Sequence, residues 1–114
     1  MKNVKLKANG RIWIESEAGP VLGYGRIELL EKIMEYGSIS KAAAEMKMSY
    51  SQAWELIESM NANVNTPLVL KQTGGKGGGG ALITPTGEKM IKTFKELNMK
   101  FQHFLEEQWK LFNN

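Results

Sequence analysis

The sequence predicts an α+β fold, a winged helix-turn-helix in which short amphipathic helices are combined with β-hairpins and a long terminal helix. Apolar residues recur at helical spacing between residues 26 and 61, and a glycine-rich loop separates two short apolar segments between residues 68 and 83. A longer helical pattern follows residue 84. With 114 residues, 42% hydrophobic and 24% charged, the chain has the balance of one soluble domain. We expect one domain over 1–114, with parts at 1–24, 25–84 and 85–114.

The first part is predicted to contain a β-hairpin and a linker. Lys5 to Ala8 and Arg11 to Glu15 flank Asn9-Gly10, a dipeptide that tolerates the positive φ angles of a two-residue turn. Gly19-Pro20 and Gly23-Tyr24-Gly25 then interrupt the pattern. We therefore place the turn of this hairpin at Asn9-Gly10.

Three helices are predicted next. The first runs from Arg26 to Tyr36 and is stopped by Gly37. Ser40 is the predicted N-cap of a short second helix, Lys41 to Met46, and Lys47-Met48 makes a turn.

The third helix is predicted to run from Ser49 to Asn61. Ser49 is its N-cap, and Gln52 three residues later completes a capping box. Two capped helices separated by about three residues form a helix-turn-helix, so the third helix is the predicted recognition helix.

A β-hairpin follows this pair of helices directly. Pro67 blocks further helix, Leu68-Val69-Leu70 is a short apolar strand, and Ala81-Leu82-Ile83 is its return strand. The loop between them is the glycine run Gly74 to Gly80, which carries Lys76. A hairpin in this position is the wing of a winged helix-turn-helix, and glycines let its backbone approach phosphates closely.

The glycine run also raises a nucleotide-binding enzyme as an alternative. A P-loop requires Gly five positions before Gly75 and Ser or Thr after Lys76, but those positions hold Leu70 and Gly77. A G-x-G-x-x-G match is present, although a strand and not a helix follows it. We therefore interpret the glycine run as a wing and keep the enzyme as the alternative.

The last predicted helix begins with Thr84 as N-cap and Pro85 at its first position, and extends to about Phe112. A seam of residues along it alternates steps of four and three, as in a coiled coil, and is apolar except for one polar interruption at Gln108. This length predicts dimerisation through the far half of the helix, the alternative being a helix that folds back along the first one. The seam comprises Met90, Phe94, Leu97, Phe101, Phe104, Gln108 and Leu111.

The start of the recognition helix supplies candidate DNA contacts. Ser49 to Gln52 and Glu55 are predicted to face away from the apolar side of the helix, to which Trp54 is assigned as a core residue. Gln52 can pair with adenine and Glu55 can accept a hydrogen bond from cytosine. Glu55 and Glu58 are the only charges on this helix. This negative charge argues against DNA binding and keeps a protein-interaction module as the alternative.

Phosphate attraction must therefore come from cations outside the recognition helix. The predicted sources are Lys41, Lys47, Lys71 and Lys76, with the N-terminal lysines as a further possibility, and the formal net charge of the chain is +3.

Composition points away from other classes of protein. The sequence has no cysteine and one histidine, His103, and no acid/base pair or nucleophile pattern is recognisable. We therefore expect no enzyme activity, no metal site and no cofactor. Since no apolar stretch is long enough to span a membrane, we expect no membrane partner and a cytoplasmic location.

Several of these segments together resemble the N-terminal DNA-binding domain of ModE-type molybdate-responsive transcription regulators. The resemblance covers roughly residues 26–95, and its most specific part is the wing from Thr73 to Ala81; the Ser-Ile-Ser-x-Ala-Ala stretch is shared more loosely with LysR-type regulators. The matching segments are Gly37 to Ala43, Ser49-Tyr50, Ala53-Trp54, Met60-Asn61, Thr73 to Ala81 and Leu82 to Thr84.

The resemblance implies a winged-helix homodimer that binds a palindromic operator in double-stranded DNA and regulates transcription. Full-length members of that family also carry C-terminal molybdate-binding domains, and the chain ends at Asn114, so molybdate sensing is not carried over. The hairpin expected at Lys5 to Glu15 also differs from the helical start of the best-known members. The candidate DNA-binding residues are Lys41, Ser49, Tyr50, Ser51, Gln52, Glu55, Lys71, Thr73, Gly75, Lys76 and Gly77.

Overall fold

The computed structural model describes residues 3–72 and 80–113. The described elements, in chain order, are β1 (Ile14–Ser16), β2 (Gly19–Leu22), α1 (Tyr24–Tyr36), α2 (Ile39–Glu45), α3 (Tyr50–Ala62), β3 (Val69–Gln72), β4 (Gly80–Ile83), α4 (Pro85–Trp109) and a final 3₁₀ turn, Lys110–Phe112. The α+β architecture is confirmed: helices α2 and α3 form a helix-turn-helix, and β3 and β4 form the wing that follows it.

The N-terminal hairpin exists, but its predicted position is wrong. Its strands are β1 and β2, with Ser16 opposite Gly19, and the chain from residue 3 to residue 13 contains no strand. The Ser16 hydroxyl accepts a hydrogen bond from the Ala18 N–H at 3.1 Å, which stabilises a turn at residues 17 and 18. Gly19-Pro20, expected to interrupt the pattern, therefore belongs to β2.

Asn9-Gly10 does not form the predicted turn because Gly10 lies against α4. A Cβ at Gly10 would lie 3.0 Å from the Phe101 ring, and the Gly10 carbonyl accepts a hydrogen bond from Gln102 Nε2 at 3.2 Å. Beyond the end of α4, Asn113 exchanges two hydrogen bonds with the Leu6 backbone at 2.8 and 2.7 Å. The residues before β1 thus run antiparallel to the far half of α4.

The core lies where the three helices of the helix-turn-helix region meet the wing. Its fully buried side chains come from α1, α2, α3 and the residue before β3, namely Leu29, Leu30, Ile33, Ile39, Ile57, Met60 and Leu68. Ala42, Ala43 and Ala53 are also buried, so α2 and α3 approach closely through small side chains. Helix α1 is longer than predicted because it begins at Tyr24, and it ends as predicted at Gly37, whose φ is +63°.

The wing is attached to the helices at both of its strands. Strands β3 and β4 pair in antiparallel register from Val69 opposite Ile83 to Gln72 opposite Gly80, so β3 is shifted toward the loop relative to the predicted Leu68–Leu70. Gly80 also pairs with Ser38, and the Ala81 N–H donates to the Gly37 carbonyl at 3.1 Å. These bonds hold β4 beside the chain that enters α2.

Helix α4 begins as predicted and packs first on α1, then on the N-terminal segment. Thr84 caps it by accepting from the Gly87 N–H at 3.0 Å, Pro85 occupies its first turn, and its α-helical part ends at Trp109. Tyr24 of α1 contacts Phe94 edge to face at 5.9 Å between ring centroids, and its hydroxyl hydrogen-bonds to Asn98 and Gln102. The first half of the helix therefore packs on α1, whereas its far half, where the sequence predicts dimerisation, lies along the N-terminal segment.

Candidate nucleic-acid interface

The start of α3 presents a row of polar side chains to solvent. Ser49 and the first three residues of the helix are exposed, and so is Glu55 one turn later. The opposite side of the helix is buried through Ala53, Ile57 and Met60. The predicted orientation of α3 is therefore correct, with its polar side facing solvent and its apolar side facing the core.

The capping box at the start of α3 is present as predicted. The Ser49 hydroxyl accepts from the Gln52 N–H at 3.0 Å, and Gln52 Oε1 accepts from the Ser49 N–H at 3.0 Å. Gln52 thus already uses one oxygen lone pair to cap the helix. Its amide N–H₂ group makes no hydrogen bond among the described residues, so Gln52 enters any base contact chiefly as a donor.

The cap of α2 differs from the predicted one. The Ser38 hydroxyl accepts from the Lys41 N–H at 3.2 Å, and α2 begins at Ile39 rather than at Lys41. Ser40 lies within the first turn and is exposed. The pairing of Ser38 with Gly80 extends its backbone, and this extended conformation is the one that an N-cap requires.

Lys71 connects the wing to the recognition helix. Its ammonium nitrogen lies 4.9 Å from the centroid of the Trp54 ring and 6.0 Å from that of Tyr50. Trp54, which the sequence assigns to the core, is only half-buried: one part of it packs against the core, and its remaining surface supports this cation–π contact. A positive charge of β3 is therefore held beside the exposed turn of α3.

Asn61 fixes the other end of the wing and was not singled out from the sequence as an anchor. Its side-chain oxygen accepts from the Leu68 N–H at 2.8 Å and its amide donates to the Val69 carbonyl at 2.9 Å. These bonds replace a missing strand partner at the start of β3. A lone Asn near the end of a helix gives no signal of this role, since the partner backbone is defined only by the fold.

The remaining candidates lie on α2, in the turn before α3 and at the tip of the wing. Lys41 is exposed on α2, and Lys47 lies in the turn before α3 with φ of +57°. Thr73, Gly75, Lys76 and Gly77, the predicted contacts of the wing tip, lie outside the described residues. The site that the structure brings together thus consists of the exposed start of α3 and Lys71.

Comparison with known proteins identifies the family of this region. The family model described as bacterial regulatory helix-turn-helix protein, lysR family, matches residues 24–88, which run from the start of α1 into the first turn of α4. This chain belongs to that family. The match spans the helix-turn-helix and both wing strands.

The relatives of this lysR-type domain include several ModE proteins. The molybdenum transport protein ModE of Azotobacter vinelandii is 35% identical over 96 residues, covering 84% of this chain and 36% of that protein. The DNA-binding transcriptional dual regulator ModE of Escherichia coli K12 is 45% identical over 69 residues, covering 60% of this chain and 26% of that protein. The predicted resemblance to ModE-type regulators is confirmed.

Two further comparisons agree with this assignment. The molybdenum-pterin-binding protein MopB of Rhodobacter capsulatus is 45% identical over 76 residues, covering 67% of this chain and 28% of that protein. The crystal structure of a LysR family transcriptional regulator has the same fold, with a TM-score of 0.53 at 20% identity over 71% of this chain and 26% of the other. The chain spans about a third of the length of the curated relatives it matches.

Charge is distributed unevenly over this lysR-type domain. Among the described residues, the ion pairs join Lys32 to Glu35, Lys95 to Glu31 and Lys110 to Glu107, all on α1 and α4 or the turn that ends it. Within the same part of the chain, Lys71 has no carboxylate within 4 Å. Its charge is therefore not cancelled by a neighbouring acid, although Glu55 and Glu58 leave the face of α3 itself acidic.

The described residues form neither a metal-binding cluster nor a membrane-spanning helix. No group of three metal-ligating His, Cys, Asp or Glu side chains occurs in ranges 3–72 and 80–113. None of the described helices combines the length and the apolar character needed to cross a membrane.

Proposed function

We propose that this chain is a sequence-specific DNA-binding transcriptional regulator that inserts α3 into the major groove of double-stranded DNA. The observation that carries the proposal is the exposed, capped start of α3 beside Lys71, whose ammonium group is held on Trp54 and Tyr50. Hydroxyl and amide groups there can read base edges, while Lys71 supplies a positive charge for a phosphate. The relatives described as transcriptional regulators support the same function.

The proposed interface combines the described and undescribed candidates. Lys41 and Lys71 contact phosphates, and Thr73, Gly75, Lys76 and Gly77 bring the wing tip against the DNA backbone. Ser49, Tyr50, Ser51, Gln52 and Glu55 face the groove. We propose a cytoplasmic location for the chain, and the proposed role requires no catalytic step.

We further propose that the chain acts as a homodimer on a palindromic operator. The predicted seam on α4 divides in two: Phe94 is buried and Phe101 is half-buried by the chain's own residues, but Leu97, Phe104 and Leu111 are 44%, 57% and 71% exposed. Leu97 and Phe104 are spaced by seven, so they lie on one side of α4, and Leu111 follows after seven more residues in the terminal 3₁₀ turn. We refer to Leu97, Phe104 and Leu111 as the α4 stripe, and a second copy of α4 is its proposed partner.

The function is tested by binding to a pool of random duplex DNA over a range of salt concentrations. We expect binding whose logarithm falls linearly with the logarithm of salt concentration, because phosphate contacts release counterions. Repeated selection from the pool should then enrich one palindromic motif. Absence of binding, or binding insensitive to salt, would favour a winged-helix protein-interaction module instead.

A further inference from the structure

A groove runs along the side of α3 that faces away from the wing. Two adjoining cavities of about 280 and 420 Å³ form it, where the residue before β1, strand β2 and the start of α1 approach α3. We call this surface the Arg26 groove, and it is lined by Trp13, Pro20, Arg26, Met48, Leu56 and Ser59.

Arg26 is the cation of this groove and has only neutral partners among the described residues. Its Nη1 donates to the Pro20 carbonyl at 3.3 Å and to the Ser59 hydroxyl at 3.4 Å. Glu55 also lines the groove, yet no carboxylate of the described residues lies within 4 Å of the guanidinium. The group has five N–H donors in a planar fork, so it retains donors for a further acceptor.

Partial burial makes an anionic partner favourable for this side chain. Desolvation lowers the pKa of Arg26, yet a guanidinium remains charged at neutral pH. A charge that has given up part of its hydration without gaining a counter-charge is stabilised when an anion approaches. The hydrogen bonds to Pro20 and Ser59 meanwhile hold the guanidinium beside α3.

Arg26, which lies on α1, approaches a different side of α3 from Lys71. Lys71 contacts Trp54, and Arg26 contacts Ser59, five residues later. Five residues correspond to about 140° around a helix of 3.6 residues per turn. Ser51, Glu55 and Glu58 lie within this arc, so the two cations flank the exposed face of the recognition helix.

The dimensions of the major groove bring both sides of an inserted helix close to phosphates. The major groove is about 12 Å wide and an α-helix with side chains is about 10–12 Å across, so the sides of an inserted helix meet the two phosphate rims. We infer that Arg26 binds a backbone phosphate on the rim opposite the one contacted by Lys71. The inference rests on the proposed DNA-binding function and adds a second, independent anchor to it.

This assignment explains how an acidic recognition helix can approach DNA. Glu55 and Glu58 repel phosphates, but a base edge lies farther from the backbone than the helix flanks do. A cation on each flank compensates the repulsion where the phosphates are closest. It also gives the N-terminal hairpin a role, since Pro20 of β2 holds one side of the Arg26 guanidinium.

The test compares the affinity of Arg26→Gln for random duplex DNA with that of the full chain without substitutions. Lys92→Gln is the matched control. Lys92 is an exposed cation that lines the groove between α1 and α4. We expect Arg26→Gln to weaken binding about tenfold at low salt and to lower the salt slope by about 0.9 for each phosphate that the variant no longer neutralises. Arg26→Lys should retain most of the slope, and Lys92→Gln should change neither quantity.

The outcomes separate this inference from the function on which it rests. If the full chain binds and Arg26→Gln binds with equal affinity and equal slope, the phosphate role of Arg26 is overturned while the function stands. If the full chain fails to bind duplex DNA, both are overturned. Should Arg26→Gln unfold, the Arg26 Nε–H resonance of the full chain decides: a shift on DNA addition supports the contact, and an unchanged resonance contradicts it.

Discussion

Lys71 lies with its ammonium nitrogen 4.9 Å from the Trp54 ring, so the wing and the recognition helix are in contact before any DNA is present. A preorganised charge loses less side-chain freedom on binding than a free one. The same aromatic surface that completes the core therefore also positions a phosphate-binding group. This double use explains why Trp54 is only half-buried.

Lys71→Met separates the charge of this side chain from its packing. Methionine retains an apolar chain over Trp54, so we expect the free energy of unfolding to change by less than about 1 kcal/mol, the size of an exposed cation–π contact. Binding to random duplex DNA should weaken, with a smaller salt slope. Fluorescence anisotropy and urea denaturation measure the two quantities. Lys89→Met, an exposed change on α4, is the control, and equal weakening of DNA binding in both variants would contradict the role of Lys71.

Gln52→Glu separates capping from base reading. Glutamate can replace glutamine in a capping box, so this variant should keep the thermal stability of the protein, whereas Gln52→Ala should lose about 1 kcal/mol. Both variants lack the amide donor, and both should select a changed motif from random duplex DNA. If Gln52→Glu selects the original motif, Gln52 serves as a cap alone.

The cap of α2 gives a prediction in which two neighbouring serines have different effects. Ser38→Ala removes the acceptor of the Lys41 N–H and should lower the free energy of unfolding by about 1 kcal/mol. Ser40→Ala changes an exposed side chain of the first helical turn and should alter it by less than about 0.5 kcal/mol. Urea denaturation of both variants compares them directly, and equal destabilisation would contradict the observed cap.

These serines illustrate where sequence-based prediction succeeds and fails. The capping box of α3 and the Thr84 cap were predictable because all their atoms belong to one short segment. The choice between Ser38 and Ser40 depends on the pairing of Ser38 with Gly80, which is distant in sequence. The local sequence pattern is compatible with either serine as the N-cap. The pairing of Ser38 with Gly80 of the wing determines that Ser38 is the cap.

The same distinction accounts for the errors and omissions elsewhere. Asn9-Gly10 has the local signature of a turn, but Gly10 is needed where the chain approaches Phe101 on α4. The segments around Asn61 and Arg26 carry no distinctive local pattern. The roles of these residues depend on their contacts with β3 and β2, which only the fold defines. The fold class, the polar face of α3 and Lys71 could thus be predicted from the sequence, whereas Asn61, which positions the wing, and Arg26, which lies beside α3, could not.

Gly87 is predicted to tolerate no side chain. A Cβ there would lie 2.5 Å from the Leu68 carbonyl oxygen and 2.9 Å from a methyl carbon of Ile83, so the wing and α4 would have to separate. Gly87→Ala should therefore lower the free energy of unfolding by about 1–3 kcal/mol despite the higher helix propensity of alanine.

Gly25→Ala is the matched control for this substitution. Gly25 is also helical, and nothing lies within 4 Å of a Cβ placed on it, so alanine should raise the free energy of unfolding by up to about 1 kcal/mol. Thermal denaturation of the two variants gives shifts of opposite sign. If Gly87→Ala raised the stability as Gly25→Ala is expected to do, α4 would be able to move away from Leu68 and Ile83 without cost.

The α4 stripe predicts which substitution separates the proposed homodimer. Phe104→Glu places a charge in the middle of the stripe, where burial against a second copy would desolvate it, so the variant should be monomeric at concentrations at which the full chain is dimeric. Met99→Glu is the control, because Met99 is 67% exposed and lies about 140° around the helix from Phe104. Sedimentation equilibrium measures both masses.

The oligomeric state determines how many recognition helices contact one DNA site. A dimer places two recognition helices on successive turns of the groove, so loss of the dimer should weaken binding to a palindromic operator far more than binding to random duplex DNA. If Phe104→Glu remains dimeric, the two copies associate through another surface. If the full chain is monomeric at all concentrations and on the operator, the stripe has no second copy as its partner, and each domain must bind through the two flanks of its own α3.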